Sequence, residues 1–167
     1  MATIRGIDGK SAELLPLDYE FPEPSREMRS DDDANWLTVR LTLTHGDWHW
    51  QAHHPCLYTW SLLGISRWLR AVADGTAEKL WYYPSIEQNL ALNWDGDEPL
   101  VVLRLLLSQE LRLPHTDQFE LHVRPGAFRR FADGLERDIE PFPIRTWGED
   151  AATERIARRF RRELLRL

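Results

Sequence analysis

The sequence predicts an α+β fold: an antiparallel β-sheet built of consecutive hairpins, with two main helices and a C-terminal helix. Three observations point there. Apolar and polar residues alternate in several short runs, the period of strands with one buried face. Turn-forming residues separate those runs by few positions, which makes neighbouring strands antiparallel. Helical spacing of apolar residues occurs at only two internal places and in the tail. The helices are thus inserted between hairpins and do not alternate with single strands as in a βαβ protein.

The clearest element lies within Asp31–Trp60. Leu37, Val39, Leu41 and Leu43 alternate with Thr38, Arg40 and Thr42; after His45-Gly46, Trp48, Trp50 and Ala52 alternate with His49, Gln51 and His53. Apolar residues take odd numbers in the first run and even numbers in the second. Opposed residues must therefore sum to an odd number, and the loop must have even length unless a bulge intervenes. A two-residue loop at His45-Gly46 meets that condition. It pairs Leu43 with Trp48, Leu41 with Trp50 and Val39 with Ala52 on the core side, and Thr42 with His49, Arg40 with Gln51 and Thr38 with His53 on the other. An acidic loop, Asp31-Asp32-Asp33-Ala34-Asn35, leads into the hairpin, and Pro55-Cys56 starts the helix that follows.

Residues 3 to 17 form a first hairpin turning at Asp8-Gly9, with Leu14, Leu15 and Leu17 on its apolar side. Pro16, Pro22 and Pro24 and mixed charges make Tyr19–Asp33 a loop anchored by Tyr19 and Phe21. Leu57–Asp74 reads as a helix on the spacing of Leu62, Ile65, Leu69 and Val72, widened by Trp68 and stopped by Gly75. Leu80–Tyr83 is a short strand; Gln88, Leu90, Leu92 and Trp94 define another. Leu100–Leu107 is almost wholly apolar, as a central strand covered on both faces would be. Phe119, Leu121 and Val123 mark a further half-buried strand. Pro125 opens a second helix with the stripe Phe128, Phe131, Ala132 and Leu135, ended by Pro141 and Pro143. Glu149–Leu167 is a third helix, its face set by Ile156, Phe160, Leu164 and Leu167. Residues 1–143 are read as one α+β domain and 144–167 as an Arg-rich helical extension packed on it.

The chain has 167 residues, enough for one domain with a sizeable core, and its 43% apolar and 29% charged content is that of a globular protein. A net charge of −6 argues against broad nucleic-acid or anionic-membrane binding. Six Arg against four acids give the tail +2 and leave −8 on the body. The expectation is a helix docked on an acidic body, with a homodimer through its apolar stripe as the alternative. One cysteine, Cys56, excludes an intrachain disulfide and suits a reducing compartment. With no signal-like or membrane-spanning apolar run, the expected location is cytoplasmic. Of eight Trp, four (Trp48, Trp50, Trp68, Trp94) occupy core-facing positions, so packing rather than base or sugar stacking accounts for them.

Two constellations invite a chemical reading. His45, Asp47, His49 and His53 lie close in sequence, and alternate strand residues share a face, so a metal-dependent hydrolase is one hypothesis. The same face must be polar in any case if Trp48 and Trp50 point inward. Asp31, Asp32 and Asp33 offer oxygen ligands for a hard cation but lack the glycine of an EF-hand loop. Side chains capping nearby amides, or an acidic contact surface, explain them better. Cys56 beside an apolar helix start is read as a buried structural thiol. There is no nucleophile elbow, phosphate-cradling loop or Cys-x-x-Cys pair.

Several segments carry a resemblance when taken in order: Glu13-Leu14 with Asp18-Tyr19-Glu20-Phe21-Pro22, Asp31 through Leu37, Pro55 through Trp60, Trp68-Leu69 with Gly75, and Ser108 through Pro114. Together they resemble the WapI-type immunity proteins of bacterial toxin systems, over roughly residues 4 to 140. The resemblance implies a non-enzymatic cytoplasmic protein that binds and neutralises a cognate toxin domain, without cofactor, nucleic acid or membrane. The namesake toxin acts on tRNA, so a basic toxin steered towards an acidic partner is implied. Asp31, Asp32 and Asp33 are the candidate toxin-binding residues. A Trp-rich ligand-binding module is the third alternative.

Overall fold

The computed structural model describes residues 1–22, 31–77, 81–82, 90–95, 101–107 and 118–145. In chain order they form β1 (Ala2–Arg5), β2 (Lys10–Tyr19), α1 (Asp31–Ala34), β3 (Trp36–His45), β4 (Trp48–Tyr58), α2 (Thr59–Ala73), β5 (Trp81–Tyr82), β6 (Leu90–Asp95), β7 (Val101–Leu107), β8 (Gln118–Val123) and α3 (Pro125–Ile139). The fold is α+β with antiparallel neighbours throughout. The strands divide into two sheets, β1-β2-β3-β4 and β5-β6-β7-β8, because the chain leaves the sheet after β4 to build α2. The C-terminal helix expected over Glu149–Leu167 lies outside the described residues.

The first sheet buries one face by strict alternation. Across its strands, Ala2 faces Leu14, Leu14 faces Leu41 and Leu41 faces Ala52; in the adjoining row the order is Ile4, Ala12, Leu43 and Trp50. The first row sets two leucines between alanines and the second a single alanine among Ile4, Leu43 and Trp50, so this face is apolar throughout. The opposite face carries Thr, Ser, Arg, Gln and His. On it Arg40 Nη2 meets Glu13 Oε1 at 2.9 Å and the Ser11 and Thr44 hydroxyls hydrogen-bond at 2.7 Å.

The central hairpin keeps the expected parity but not the expected turn. His45 faces Trp48 and Leu43 faces Trp50, so the two-residue loop is Gly46-Asp47 rather than His45-Gly46. Every pairing moves by two positions and each side chain keeps its face: Leu41 meets Ala52, Thr42 meets Gln51 and Arg40 meets His53. Gly46 adopts φ +57°, which glycine reaches without steric cost, and that favours it over His45 at the first loop position. Trp48 consequently sits at the mouth of the turn, 38% exposed instead of buried, stacked on Phe119 of β8 (centroids 6.0 Å apart, planes at 22°). Trp50 is half-buried against the core and Trp68 is buried.

Strand β4 also runs on where a helix was expected. It continues through Pro55 and Cys56 to Tyr58, with a register shift between Leu37 and Thr38, and α2 starts only at Thr59. The Tyr58 N–H donates to Ser61 Oγ at 3.3 Å, so a serine fills the capping place that has no acid. In the first hairpin Gly9 takes φ +79°, as the turn demands. The apolar side of β2 is Ala12, Leu14, Pro16 and Tyr19; Leu15 is half-buried and Leu17 exposed, because the inward positions are the even ones until a shift between Pro16 and Asp18. Tyr19 is buried as an anchor, whereas Phe21 is 44% exposed.

One core joins both sheets and the helices. It takes Leu37, Val39, Leu41 and Leu43 from β3, Leu62, Ile65 and Leu69 from α2, Phe119, Leu121 and Val123 from β8, and Phe128, Phe131 and Leu135 from α3. The sheets meet where the Ile7 N–H donates to the His122 carbonyl at 2.8 Å and Lys10 Nζ donates to the Glu120 carbonyl at 3.0 Å. β7 is central in the second sheet, between β6 and β8. Pro125 occupies the first turn of α3, as its fixed φ and missing N–H favour.

Two contacts set how α3 lies. At Gly134 the helix backbone approaches β1 so closely that an added Cβ would stand 2.9 Å from Ala2 Cα. Towards α2, Arg70 Nη2 reaches Asp133 Oδ1 at 2.6 Å and Glu136 Oε2 at 2.8 Å, and Ser66 Oγ donates to Glu136 Oε1 at 2.6 Å. Burial alone would raise the Glu136 carboxyl, but the hydrogen bonds from Arg70 and Ser66 outweigh it and hold the group below the usual carboxylate range.

Gly134→Ala therefore destabilises the protein by about 1–3 kcal/mol, reversing the gain of up to about 1 kcal/mol expected at an open helical site; urea unfolding reads the sign. A carboxyl held low in the folded state contributes stability above its unfolded value, near about 4.3, and loses it as pH falls through the folded value. Glu136→Gln is accordingly expected to give a shallower loss of stability on acidification below about pH 4.5 than the parent chain, measured by urea unfolding at a series of pH values.

Candidate functional site

Two of the segments that carry the family resemblance, Asp31–Leu37 and Pro55–Trp60, are far apart in sequence and adjacent in space. Trp36 faces Tyr58 and Leu37 faces Leu57 across β3 and β4, and the Thr59 N–H donates to the Asn35 carbonyl at 3.1 Å. The bulge makes this possible. Up to Thr38–Pro55 the two strands follow one register; from Leu37–Leu57 onward they are offset by one residue. That offset buries both Cys56 and Leu57 and turns Tyr58 to the side of Trp36. Cys56 is a buried thiol, 1% exposed.

The acidic run is a single helical turn, Asp31–Ala34, rather than a loop, closed by the Asn35 N–H donating to the Asp32 carbonyl at 3.0 Å. Asp32 and Asp33 are half-buried. Directly after them, Asn35 is fully buried and acts as a clip. Its Nδ2 donates to the Arg145 carbonyl at 2.7 Å, and the Arg145 N–H donates to its Oδ1 at 2.7 Å. Both ends of one side-chain amide thus mimic a strand pairing. The side-chain capping expected of this stretch is found in Asn35, aimed at a residue 110 positions away.

Arg145 makes two further contacts. Its guanidinium lies 3.3 Å from the Tyr19 ring centroid, and its Nη1 donates to the Phe21 carbonyl at 2.9 Å. Tyr19 in turn donates its hydroxyl to the Pro143 carbonyl and meets Phe142 edge-on at 5.5 Å. Burial raises the Tyr19 phenol above its ordinary value, only partly offset by Arg145, so the ring remains a neutral donor. Residues Phe142–Arg145 form a strap across this end of the first sheet.

Beside the strap runs a row of aromatics. Tyr58 meets Trp36 edge-on at 4.3 Å and stacks on Trp60 at 4.8 Å with planes 15° apart. All three are half-buried, and Ile144 within the strap and Phe21, whose carbonyl accepts from Arg145, are two of the exposed large apolar residues. Sequence reasoning missed the aromatic row. The residues stood in recognisable segments, but a helix start at Pro55 hides the fact that Tyr58 is a strand residue opposite Trp36.

The histidine set lies at the other end and does not assemble. His49 and His53 are exposed on the polar sheet face, beside Thr44 and Arg40, and stand four positions apart on the strand, about 13 Å. His45 ends β3 opposite Trp48 and Asp47 lies in the loop; His53 Nε2 is engaged by Gln51 Nε2 at 2.8 Å. Among the described residues no group of three or more His, Cys, Asp or Glu is placed to hold a metal ion. No helix among them is long and apolar enough to cross a membrane.

Comparison with protein families matches residues 3–143 to the Immunity protein WapI-like family. No curated protein and no solved structure matches the chain.

The clip is expected to carry much of the order at this end. Asn35→Ala removes two buried hydrogen bonds together and should lower the unfolding free energy by about 2–3 kcal/mol, read by urea titration; a change under about 0.5 kcal/mol would mean the strap is held without it.

Proposed function

Because the chain belongs to the WapI-like immunity protein family, we propose that it is a non-enzymatic protein that captures and neutralises one cognate bacterial toxin domain through the end of the first sheet. The surface comprises Asp31, Asp32 and Asp33 together with Trp36, Tyr58 and Trp60. The observation that supports this reading is the convergence of two family-like segments at one end of the first sheet, one carrying the acidic turn and Trp36 and the other Tyr58 and Trp60, braced by the Asn35–Arg145 clip. A rigid backing of this kind lowers the entropy lost on binding, and aromatic side chains supply contact area at few torsions.

The chemistry of the toxin follows from charge. A domain that grips tRNA is basic, and a chain with net charge −6 attracts it from a distance, raising the association rate. The inhibitor then acts where the RNA is, in the cytoplasm. Residues 1–143 act as the toxin-binding domain in this reading, with the Arg-rich extension as an accessory. The hydrolase alternative has no support in the placement of His45 at the end of β3, Asp47 in the loop, and His49 and His53 four positions apart on β4.

The test is co-expression with a toxin domain taken from the gene neighbouring this one. The parent chain restores growth. A triple reversal, Asp31→Lys, Asp32→Lys and Asp33→Lys, slows association about tenfold or more at low salt while leaving the circular dichroism melt unchanged. Unchanged association removes these carboxylates from the contact surface.

A further inference from the structure

Among the described residues, strand β4 is the long unpaired edge of the first sheet. The other outer strand, β1, is four residues long and is approached by α3 at Gly134, and Ile7 just beyond it bonds to His122 of β8. Edges left open in this way are templates for pairing with another strand. In an antiparallel pair, opposed residues alternate between those bonded to the neighbour and those facing away. The two-residue loop makes His45–Trp48 a bonded pair, so Leu43–Trp50 and Leu41–Ala52 are bonded too. The N–H and C=O groups of His49, Gln51 and His53 therefore point outward, away from β3. Pro55 takes the next outward position, where its missing N–H ends the run of donors.

We propose that this edge pairs with a second copy of the chain, antiparallel about a two-fold axis at Gln51. That register sets Gln51 against Gln51 and His49 against His53 of the second copy, so outward groups meet outward groups and each donor finds an acceptor. On the core-side face Trp50 lies against Ala52 of the second copy, and the exposed Trp48 against its His54, large rings over smaller neighbours. The ladder ends where Asp47 reaches Pro55, the residue with no donor. Trp48–His54 contains no acid, Lys or Arg, so no fixed like charges face each other. The edge is thus complementary to itself over its free length. A strand pair this short buries less than about 1,200 Å², so the dimer is concentration-dependent, with a dissociation constant on the order of tens of micromolar.

Sedimentation equilibrium of the full chain from roughly 5 to 500 μM tests this by mass action. The mean mass should rise from 19.7 kDa towards twice that value. Gln51→Pro, which removes one donor per copy at the axis, should weaken association about tenfold or more, with an unchanged circular dichroism spectrum. Should that variant fold poorly, Gln51→Lys gives the same readout by opposing two cations. Gln51→Cys should form a reducible cross-linked dimer under mild oxidation, the native Cys56 being buried. A chain that stays monomeric throughout overturns the proposal, including one in which Gln51→Lys instead weakens capture of the co-expressed toxin, which would assign the edge to the toxin. A dimer that persists unchanged in Gln51→Lys also overturns it and moves the contact elsewhere.

Discussion

The register of β3 against β4 governs the rest of the molecule. From His45–Trp48 to Thr38–Pro55 it sends leucines to one face and hydroxyl, amide and imidazole groups to the other. A single extra residue then resets it. Without that offset Tyr58 would turn away from Trp36, and α2 would start from a different rotation of the chain. The bulge therefore controls both what the helices cover and which aromatics share the outer surface. It also lets a strand hold a proline: Pro55 sits on the open side of an edge, where no ladder bond is lost.

Much of this was readable from residues, and the misreadings have identifiable physical causes. Parity alone fixed the faces of Leu37 to Leu43 and Trp50 to Ala52, because a period of two tolerates only even shifts. It did not distinguish a loop at His45-Gly46 from one at Gly46-Asp47, since both satisfy the parity. Glycine's place within the turn decided between them. Pro55 was ambiguous because proline is at home both in the first turn of a helix and on the free side of an edge strand. Leu15 and Leu17 were assigned inward by hydrophobicity, yet the inward positions around them belong to Leu14 and Pro16. Helix α3 was plain from its stripe and opening proline, but the need for glycine at position 134 was not, since it depends on the backbone of β1.

The candidate site was partly legible for the same reasons. Asp31, Asp32 and Asp33 stood out by charge, and the aromatic row was present in recognisable segments without being seen as a row. The clip between Asn35 and Arg145 had no sequence signal, because nothing local marks an amide for a partner so remote. The histidines were conspicuous for the opposite reason: closeness along a strand does not translate into convergence, and residues four apart stand on one face but out of reach of a common ligand.

The Asn35–Arg145 clip also bears on the order in which the molecule is made. Its two halves are separated by most of the described chain, so ordering one end of the first sheet depends on a contact of high sequence separation, the slowest kind to form. A nascent polypeptide emerging at about 5–20 residues per second has β1 to β4 available for several seconds before Arg145 leaves the ribosome. During that interval the hairpins can pair and bury their leucines, while the fully buried amide of Asn35 still lacks its mate. The end of the first sheet beside Asn35 is thus set only after Arg145 has emerged, later than the hairpins it braces.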